Sequence, residues 1–439
     1  MNTPINPKYL SDWSGLQRGT PEVIHFPKTT AEVATIVQNC HEKGQTITIQ
    51  GGLTGLTGGA SPGNGDVILN LEKMNRIEHI DPLEGIMVVQ AGVTLYEVQE
   101  AAKDAGWFFP VDLGSRGSCL IGGNASTNAG GERVLRYGTT RDSILGLEVV
   151  LADGTILDSM TQLVKNSTGL DLRYLFIGSE GTLGIITRLV LRLQAQPGIT
   201  SSALLAIDDF KKVPEVLRAL KQTLGSQLST FEFMSDKFVQ LNCDLIQAKV
   251  PINPCPAWSV LVEAEGSKNQ DILPFFEQSL SMLLEQELIN DAIIAQSDTD
   301  RLGFWKIRQS IPEVLSHIKP NINFDLGLPL KYTESFIKSL TEGLNKMSPH
   351  SHHLFFGHLG DNNIHLITGP HPLENQHAVE DFVYGELAKY SGTISAEHGI
   401  GFIKKPYLHL SRNSEQLDLL KKIKCLMDPK EILNPNRII

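Results

Sequence analysis

The chain has 439 residues, 41% of them hydrophobic, and a formal net charge of −11. That length exceeds one ordinary hydrophobic core, so two domains, or one domain with a large insertion, are expected. No run of about 18 apolar residues is present to cross a membrane, and the N-terminal stretch MNTPINPKYLSDWSG lacks the basic and apolar regions of a signal peptide, so a cytoplasmic protein is expected. An acidic balance without any lysine or arginine block argues against a nucleic-acid partner. Cys40, Cys119, Cys243, Cys255 and Cys425 are scattered and lack CxxC spacing, which reads as reduced thiols rather than a disulfide framework, an iron–sulfur cluster or a thiolate zinc site.

From Pro27 the pattern is helix, strand, glycine loop: Val33, Ile36, Val37 and Cys40 recur at helical spacing, and the β-branched run TITIQ follows. Short strands are predicted at DVILN (66–70) and IMVVQ (86–90), and a helix from Leu95 to Ala105. LGLEVVLADGTIL reads as a hairpin in which Asp153 and Gly154 supply positive φ angles. After Pro197 the rhythm becomes strand then helix, through ALLAI, WSVLVEAE, DAIIAQ and NINFDLGLP, with a helix near Lys331–Met347. The expected fold class is α+β throughout, the second half built on an antiparallel sheet covered by helices. The expected domains are residues 1–197, 198–410 and a C-terminal segment 411–439, whose partner the sequence does not reveal.

Three segments of the first half are rich in glycine and small residues: GGLTGLTGGA (51–60), DLGSRGSCLIGGNASTNAGG (112–131) and IGSEGTLGIIT (177–187). Glycine after a strand lets backbone N–H groups approach a phosphate. The first loop alone is a weak signal, with an ordinary flexible loop as the other reading; its spacing is neither GxGxxG nor that of a P-loop. The second run is too poor in bulky side chains to build a core.

Together and in this order the three runs resemble the FAD-binding domain of the vanillyl-alcohol-oxidase type. The resemblance implies FAD, with Gly51, Gly52, Thr54 and Gly55 at the pyrophosphate. Gly114, Ser115, Ser118, Gly122, Asn124, Thr127 and Asn128 would border the flavin, and Glu180, Gly181 and Ile185 would complete the pocket. Some relatives attach the flavin through a histidine in the first loop. This loop has neither histidine nor cysteine, and the SC context of Cys119 matches relatives with free flavin, so non-covalent FAD is expected.

In the second half, GHLGDNNIHL (357–366) reads as a strand Phe355–Leu359, a four-residue turn 360–363 and a strand Ile364–Ile367. That register sets His358 opposite His365. Cross-strand Cβ atoms about 5 Å apart let both rings reach one metal at roughly 2.1 Å; a pair that merely packs or hydrogen-bonds is the other reading. SAEHGIG (395–401) adds Glu397 and His398, adjacent side chains of which one can face a metal and the other a substrate. Two imidazoles and a carboxylate suit zinc or manganese and leave positions open.

GHLGDNNIHL, SAEHGIG and MDPKEILNPN are similar to motifs of the FAD-linked D-2-hydroxyacid dehydrogenases, those of D-lactate and D-2-hydroxyglutarate among them, from about Asp12 to the C-terminus. The resemblance implies metal ligands at His358, His365 and Glu397, a catalytic base at His398, and at Arg308 of FWKIRQS a guanidinium that grips the substrate carboxylate. It implies oxidation of a 2-hydroxy acid to a 2-oxo acid, the hydride passing to flavin N5. The electron acceptor stays open between an electron-transfer flavoprotein, a quinone and oxygen, and a homodimer is compatible. Two rivals are an oxygen-using flavin oxidase and a non-catalytic flavin-binding subunit of a glycolate-oxidase-like complex. Asn323, Pro312 and Ile367 stand where relatives acting on hydroxyglutarate have lysine, threonine and asparagine, so a substrate lacking a second carboxylate is expected.

Overall fold

The computed structural model describes residues 4–268 and 270–438; residues 1–3 of the N-terminal stretch lie outside the described residues. The chain forms two compact units. One takes residues up to 131, 138–196 and 397 onward; the other takes 132–137 and 197–396.

The first unit opens with β1 (Val23–His25), β2 (Ile47–Gln50) and β3 (Val67–Asn70), a parallel sheet in the order β1-β3-β2. The helix Thr30–Lys43 joins β1 to β2. Thr29 caps it by accepting the Glu32 N–H, Gly44 ends it at φ +65°, and Val33, Val37 and Cys40 form its buried stripe. β4 (Ile77–Asp81) and β5 (Ile86–Gln90) begin a second, antiparallel sheet, and β6 (Trp107–Phe108) follows the helix Leu95–Asp104. β7 (Ile144–Val150), β8 (Ile156–Ser159) and β9 (Ile185–Arg192) complete that sheet in the order β4-β5-β9-β7-β8, and β10 (Gln194–Ala195) pairs with β6. All seven residues of β7 are buried, as expected of an inner strand covered on both faces.

The β7–β8 turn differs from expectation in one respect. Gly154 has φ +87°, whereas Asp153 does not adopt positive φ; its carboxylate instead accepts the Thr155 N–H at 2.9 Å. The loop is five residues long, so only one left-handed residue is required.

The C-terminal segment belongs to this first unit. Ile47 N–H donates to Ile432 O (2.7 Å), Asn434 N–H to Ile47 O (2.9 Å), and Ile49 N–H to the Asn434 side chain (2.9 Å). Arg437, 1% exposed, donates to Gly59 O, Ser61 O and Thr48 Oγ1 at 2.5, 2.9 and 2.9 Å. Hydrogen bonds from a charged donor contribute on the order of 1.5–3 kcal/mol each, so the last residues fix the end of the first glycine loop.

The second unit is one antiparallel sheet of β11 (Thr200–Ile207), β12 (Leu228–Ser235), β13 (Trp258–Glu265), β14 (Asp291–Ile294), β15 (Ile322–Gly327), β16 (His352–His358) and β17 (Asn363–Gly369). Their order is β14-β11-β13-β12-β16-β17-β15. The pairing of β12 with β16 joins strands more than a hundred residues apart and brings Glu232 opposite His358. Phe238, Phe304, Trp305, Leu354, Phe356 and Ile367 lie in the core beneath it. Among the described residues no helix is long and apolar enough to cross a membrane.

Candidate functional site

Leu354, Phe356 and His358 alternate with period two on one face of β16, so a strip that begins in the core ends in an imidazole. Phe356 stacks on Phe238, ring centroids 4.4 Å apart. The expected register is corrected here: Phe356, not His358, lies opposite His365. A 3₁₀ turn takes Leu359–Asp361, Asn362 closes it at φ +74°, and Asn363 already belongs to β17, bonded through its side chain to Asp325 at 2.7 Å. His358 and His365 are therefore diagonal neighbours, with ring centroids still 5.2 Å apart and planes at 84°.

Behind His358 lies a residue that the sequence reading missed. Glu232, 1% exposed, accepts from His358 Nδ1 at 2.5 Å through Oε1 and from Arg308 Nε at 2.8 Å through Oε2. Burial opposes its ionisation, but His358 and Arg308 outweigh that and hold its carboxyl below the usual range. Arg301, Trp305 and Arg308 recur at i, i+4 and i+7 on the helix Asp298–Gln309. The first two donate to buried Glu263 at 2.6 and 2.8 Å, and Arg308 reaches Glu232. The sequence signal was an acid inside the apolar strand STFEFMS, matched by a cationic helix stripe.

Asp325, fully buried and opposite His365, accepts the Ser395 hydroxyl and the Ala396 N–H, each at 3.2 Å. It thereby fixes the backbone one peptide bond ahead of Glu397. His358, His365 and Glu397 each offer one ligand atom, all within 4.8 Å of one another. His358 Nδ1 meets the Glu232 carboxylate, the usual arrangement of a ligating histidine with an outer carboxylate, in which Nε2 is the nitrogen that faces the metal. The donor set fits a divalent ion such as zinc or manganese.

In the first unit the glycine runs meet. Gln50 Nε2 donates to Ala60 O at 2.9 Å, tying the base of the first loop, and Leu53 within it has φ +60°. A Cβ on Gly52 would stand 2.0 Å from Ser118 O, and one on Gly51 3.7 Å from the Gly123 Cα, so the first and second runs are in backbone contact. Gly55 sits beside Asp12, and Thr54 is half-buried. Gly114 and Gly123 have open space where a Cβ would stand. Such a backbone-lined cradle fits a dinucleotide cofactor.

The other predicted residues of this unit divide between lining and scaffold. Ser115 O closes a turn by accepting the N–H groups of Ser118 and Cys119, and the Thr127 hydroxyl bonds Gly123 O at 3.1 Å. Asn124 is buried with its amide 3.6 Å from Cys119 Sγ, and Asn128, at φ +50°, accepts from Thr139 Oγ1 and Arg141 N. Gly122 abuts Ala91, where a Cβ would stand 2.5 Å away. Ile185 is a core residue at 1% exposure, and a Cβ on Gly181 would meet the Asn434 amide at 2.8 Å. Cys119 is buried and its thiol is pushed above its ordinary range, which suits a packing residue rather than an attachment point.

Glu180 has a use that its place in the third run did not disclose. At φ +51° it turns its carboxylate to the backbone N–H groups of Ile400 (2.6 Å) and Gly401 (2.9 Å), anchoring the loop that carries His398. Thr57 Oγ1 adds a bond to His398 O at 3.4 Å.

A flavin-binding oxidoreductase is the class that this fold and these glycine runs define. Residues 21–159 match the family described as "FAD binding domain" and residues 196–438 that described as "FAD linked oxidases, C-terminal domain". In fold the chain is similar to p-cresol methylhydroxylase (TM-score 0.79, 16% identity, covering 98% of this chain and 92% of that one). It is likewise similar to 4-ethylphenol oxidase from Gulosibacter chungangensis (TM-score 0.75, 18% identity, 98% and 91%), another enzyme of the vanillyl-alcohol-oxidase type. In sequence it is 38% identical to the mitochondrial D-2-hydroxyglutarate dehydrogenase of Bos taurus over 98% of this chain and 78% of that one. It is 35% identical to the D-2-hydroxyglutarate dehydrogenase of Stutzerimonas stutzeri over 98% and 93%. The chain belongs to the FAD-linked D-2-hydroxyacid dehydrogenase family and is an FAD-dependent oxidoreductase.

The expectation of a cytoplasmic protein is corrected by these relatives. Those from Bos taurus, Rattus norvegicus and Arabidopsis thaliana are named as mitochondrial. That no helix among the described residues is long and apolar enough to cross a membrane carries no information about an organelle.

Proposed function

We propose that the protein oxidises a D-2-hydroxy acid to the 2-oxo acid, with non-covalent FAD as the first electron acceptor and a divalent metal at His358, His365 and Glu397. The carrying observation is the donor set itself: two imidazoles and a carboxylate with ligand atoms within 4.8 Å, in a chain of the FAD-linked family. Gly51, Gly52, Thr54 and Gly55 would hold the pyrophosphate, and Gly114, Ser115, Ser118, Asn124, Thr127 and Asn128 would border the flavin. FAD, when bound, supplies the two-electron acceptor, its N5 receiving the C2 hydride. A zinc or manganese ion, when bound, supplies the positive charge that makes a substrate hydroxyl more acidic.

The chain's own residues account for the remaining steps. Arg308 pairs with the substrate carboxylate through its terminal guanidinium nitrogens, because Nε is already engaged by Glu232. His398 takes the hydroxyl proton on a ring nitrogen. Its loop is held through backbone atoms by Glu180 and Thr57.

The test is turnover of a panel of D- and L-2-hydroxy acids by the purified yellow protein with an artificial electron acceptor. The expected result is 2-oxo acid formed with D-enantiomers in preference to L. Equal rates with both enantiomers, or no turnover of any 2-hydroxy acid, would defeat the reading.

A further inference from the structure

We infer that Glu232 is a positioning residue that links the two halves of the substrate site, setting the tautomer of the metal-ligand candidate His358 and the orientation of Arg308 at the same time. The inference rests on the function proposed above. All three residues lie in the second unit. Glu232 is opposite His358 in the β12–β16 register, and Arg308 ends a helix stripe whose other two members, Arg301 and Trp305, bond Glu263 of β13.

One carboxylate serves two donors, one per oxygen: His358 Nδ1 at 2.5 Å and Arg308 Nε at 2.8 Å. An ionised carboxylate only accepts, so a neutral His358 must carry its proton on Nδ1 and present the Nε2 lone pair. The same acceptor removes rotation about the Nε end of Arg308, whose guanidinium also lies over Phe356, 4.9 Å from the ring centroid. Glu232 is 1% exposed, so water does not substitute for it. A neutral amide cannot satisfy both partners, because its NH₂ end faces a donor on one side or the other. If the NH₂ faces His358, the ring adopts the Nε2–H tautomer and closes the nitrogen needed for metal. If it faces Arg308, the guanidinium loses its anchor and carboxylate recognition suffers.

The test is Glu232→Gln, with Glu232→Asp as a second variant should the first fold poorly. Bound zinc or manganese is measured by elemental analysis and titration, kcat and KM are separated, and the His358 tautomer is read from ¹⁵N shifts in metal-free protein at a pH where the ring is neutral. The wild type is expected to show His358 as the Nδ1–H tautomer. Glu232→Gln is expected either to shift the tautomer and weaken metal binding tenfold or more, or to keep the tautomer and raise KM, according to which partner the amide NH₂ faces. A wild-type Nε2–H tautomer overturns the inference. So does a folded Glu232→Gln protein with unchanged metal affinity and KM, since a purely structural acid would lower only thermal stability. A wild type that turns over D-2-hydroxy acids while Glu232→Gln leaves all three readouts unmoved defeats this inference and not the proposed function. A wild type inactive on every 2-hydroxy acid defeats the function, and the tautomer still reports on Glu232.

Discussion

Glu180 accepts the backbone N–H of Ile400 at 2.6 Å, so a residue of the third glycine run holds the loop of the proposed base. Truncating it strands two donors, at about 1–3 kcal/mol for each one left buried without a partner. We expect Glu180→Ala to lower kcat tenfold or more while the FAD-to-protein ratio stays at that of the wild type. Loss of flavin from the purified variant would instead assign Glu180 to the cofactor's own shell.

Acid or heat is expected to release the flavin into solution. The first loop has no histidine or cysteine, and Cys119 is buried with a raised thiol pKa. Yellow colour retained by the precipitated chain would contradict non-covalent binding.

Substituting the ligand set should separate metal from chemistry. His365→Ala or Glu397→Ala is expected to cut bound zinc or manganese and activity together, because an open site with three protein ligands tolerates the loss of one poorly. His398→Ala should retain the metal and lose a hundredfold or more in kcat, the ordinary contribution of a general base. Full metal occupancy in the His358, His365, Glu397 triple alanine protein would remove the case for the site.

Substrate choice is the next expectation. Asn323 lies opposite Ile367 across β15 and β17, and Ile367 is buried among apolar side chains. A charged hydrogen bond contributes about 1.5–3 kcal/mol, or roughly 10- to 150-fold in affinity. D-2-hydroxyglutarate should therefore have a kcat/KM at least tenfold below that of a D-2-hydroxy acid with a neutral or apolar distal end, and Asn323→Lys should narrow the gap. The highest kcat/KM on D-2-hydroxyglutarate would refute this.

Acid should destabilise the second unit through His353. Its Nδ1 meets Thr368 Oγ1 at 2.7 Å, Thr368 Oγ1 meets His371 Nε2 at 2.8 Å, and burial, aided by His371, Lys237 and His352, pushes its pKa down to about 4. A folded pKa below the unfolded value of about 6.5 means that its contribution is present above pH ~6.5 and lost as pH falls to ~4. The loss is on the order of 2 kcal/mol once residual screening is allowed for. Urea midpoints at pH 7 and 4.5 should differ less in His353→Asn than in the wild type; equal differences would exclude His353 as the sensor.

Much of this molecule is local in origin and was legible in sequence. The stripe Val33, Val37, Cys40 with its Thr29 and Gly44 ends makes the first helix whatever surrounds it, and three glycine runs in order announced the flavin fold. That His358, His365 and Glu397 come together was expected because their motifs are short and chemically specific, and their ligand atoms do lie within 4.8 Å of one another. What the sequence could not decide depended on pairing between distant segments. A turn displaced by one residue, fixed by the Asn363–Asp325 bond, put Phe356 opposite His365. β12 lies beside β16 only because a seven-stranded sheet closes that way, and that alone turned Glu232 into the common partner of His358 and Arg308. Glu180 found Ile400, and Arg437 found Gly59, by the same long-range closure. Hydrophobic periodicity records which face of a strand is buried, but not which strand lies beside it, and buried Glu232 and Glu263 are matched across such long-range contacts.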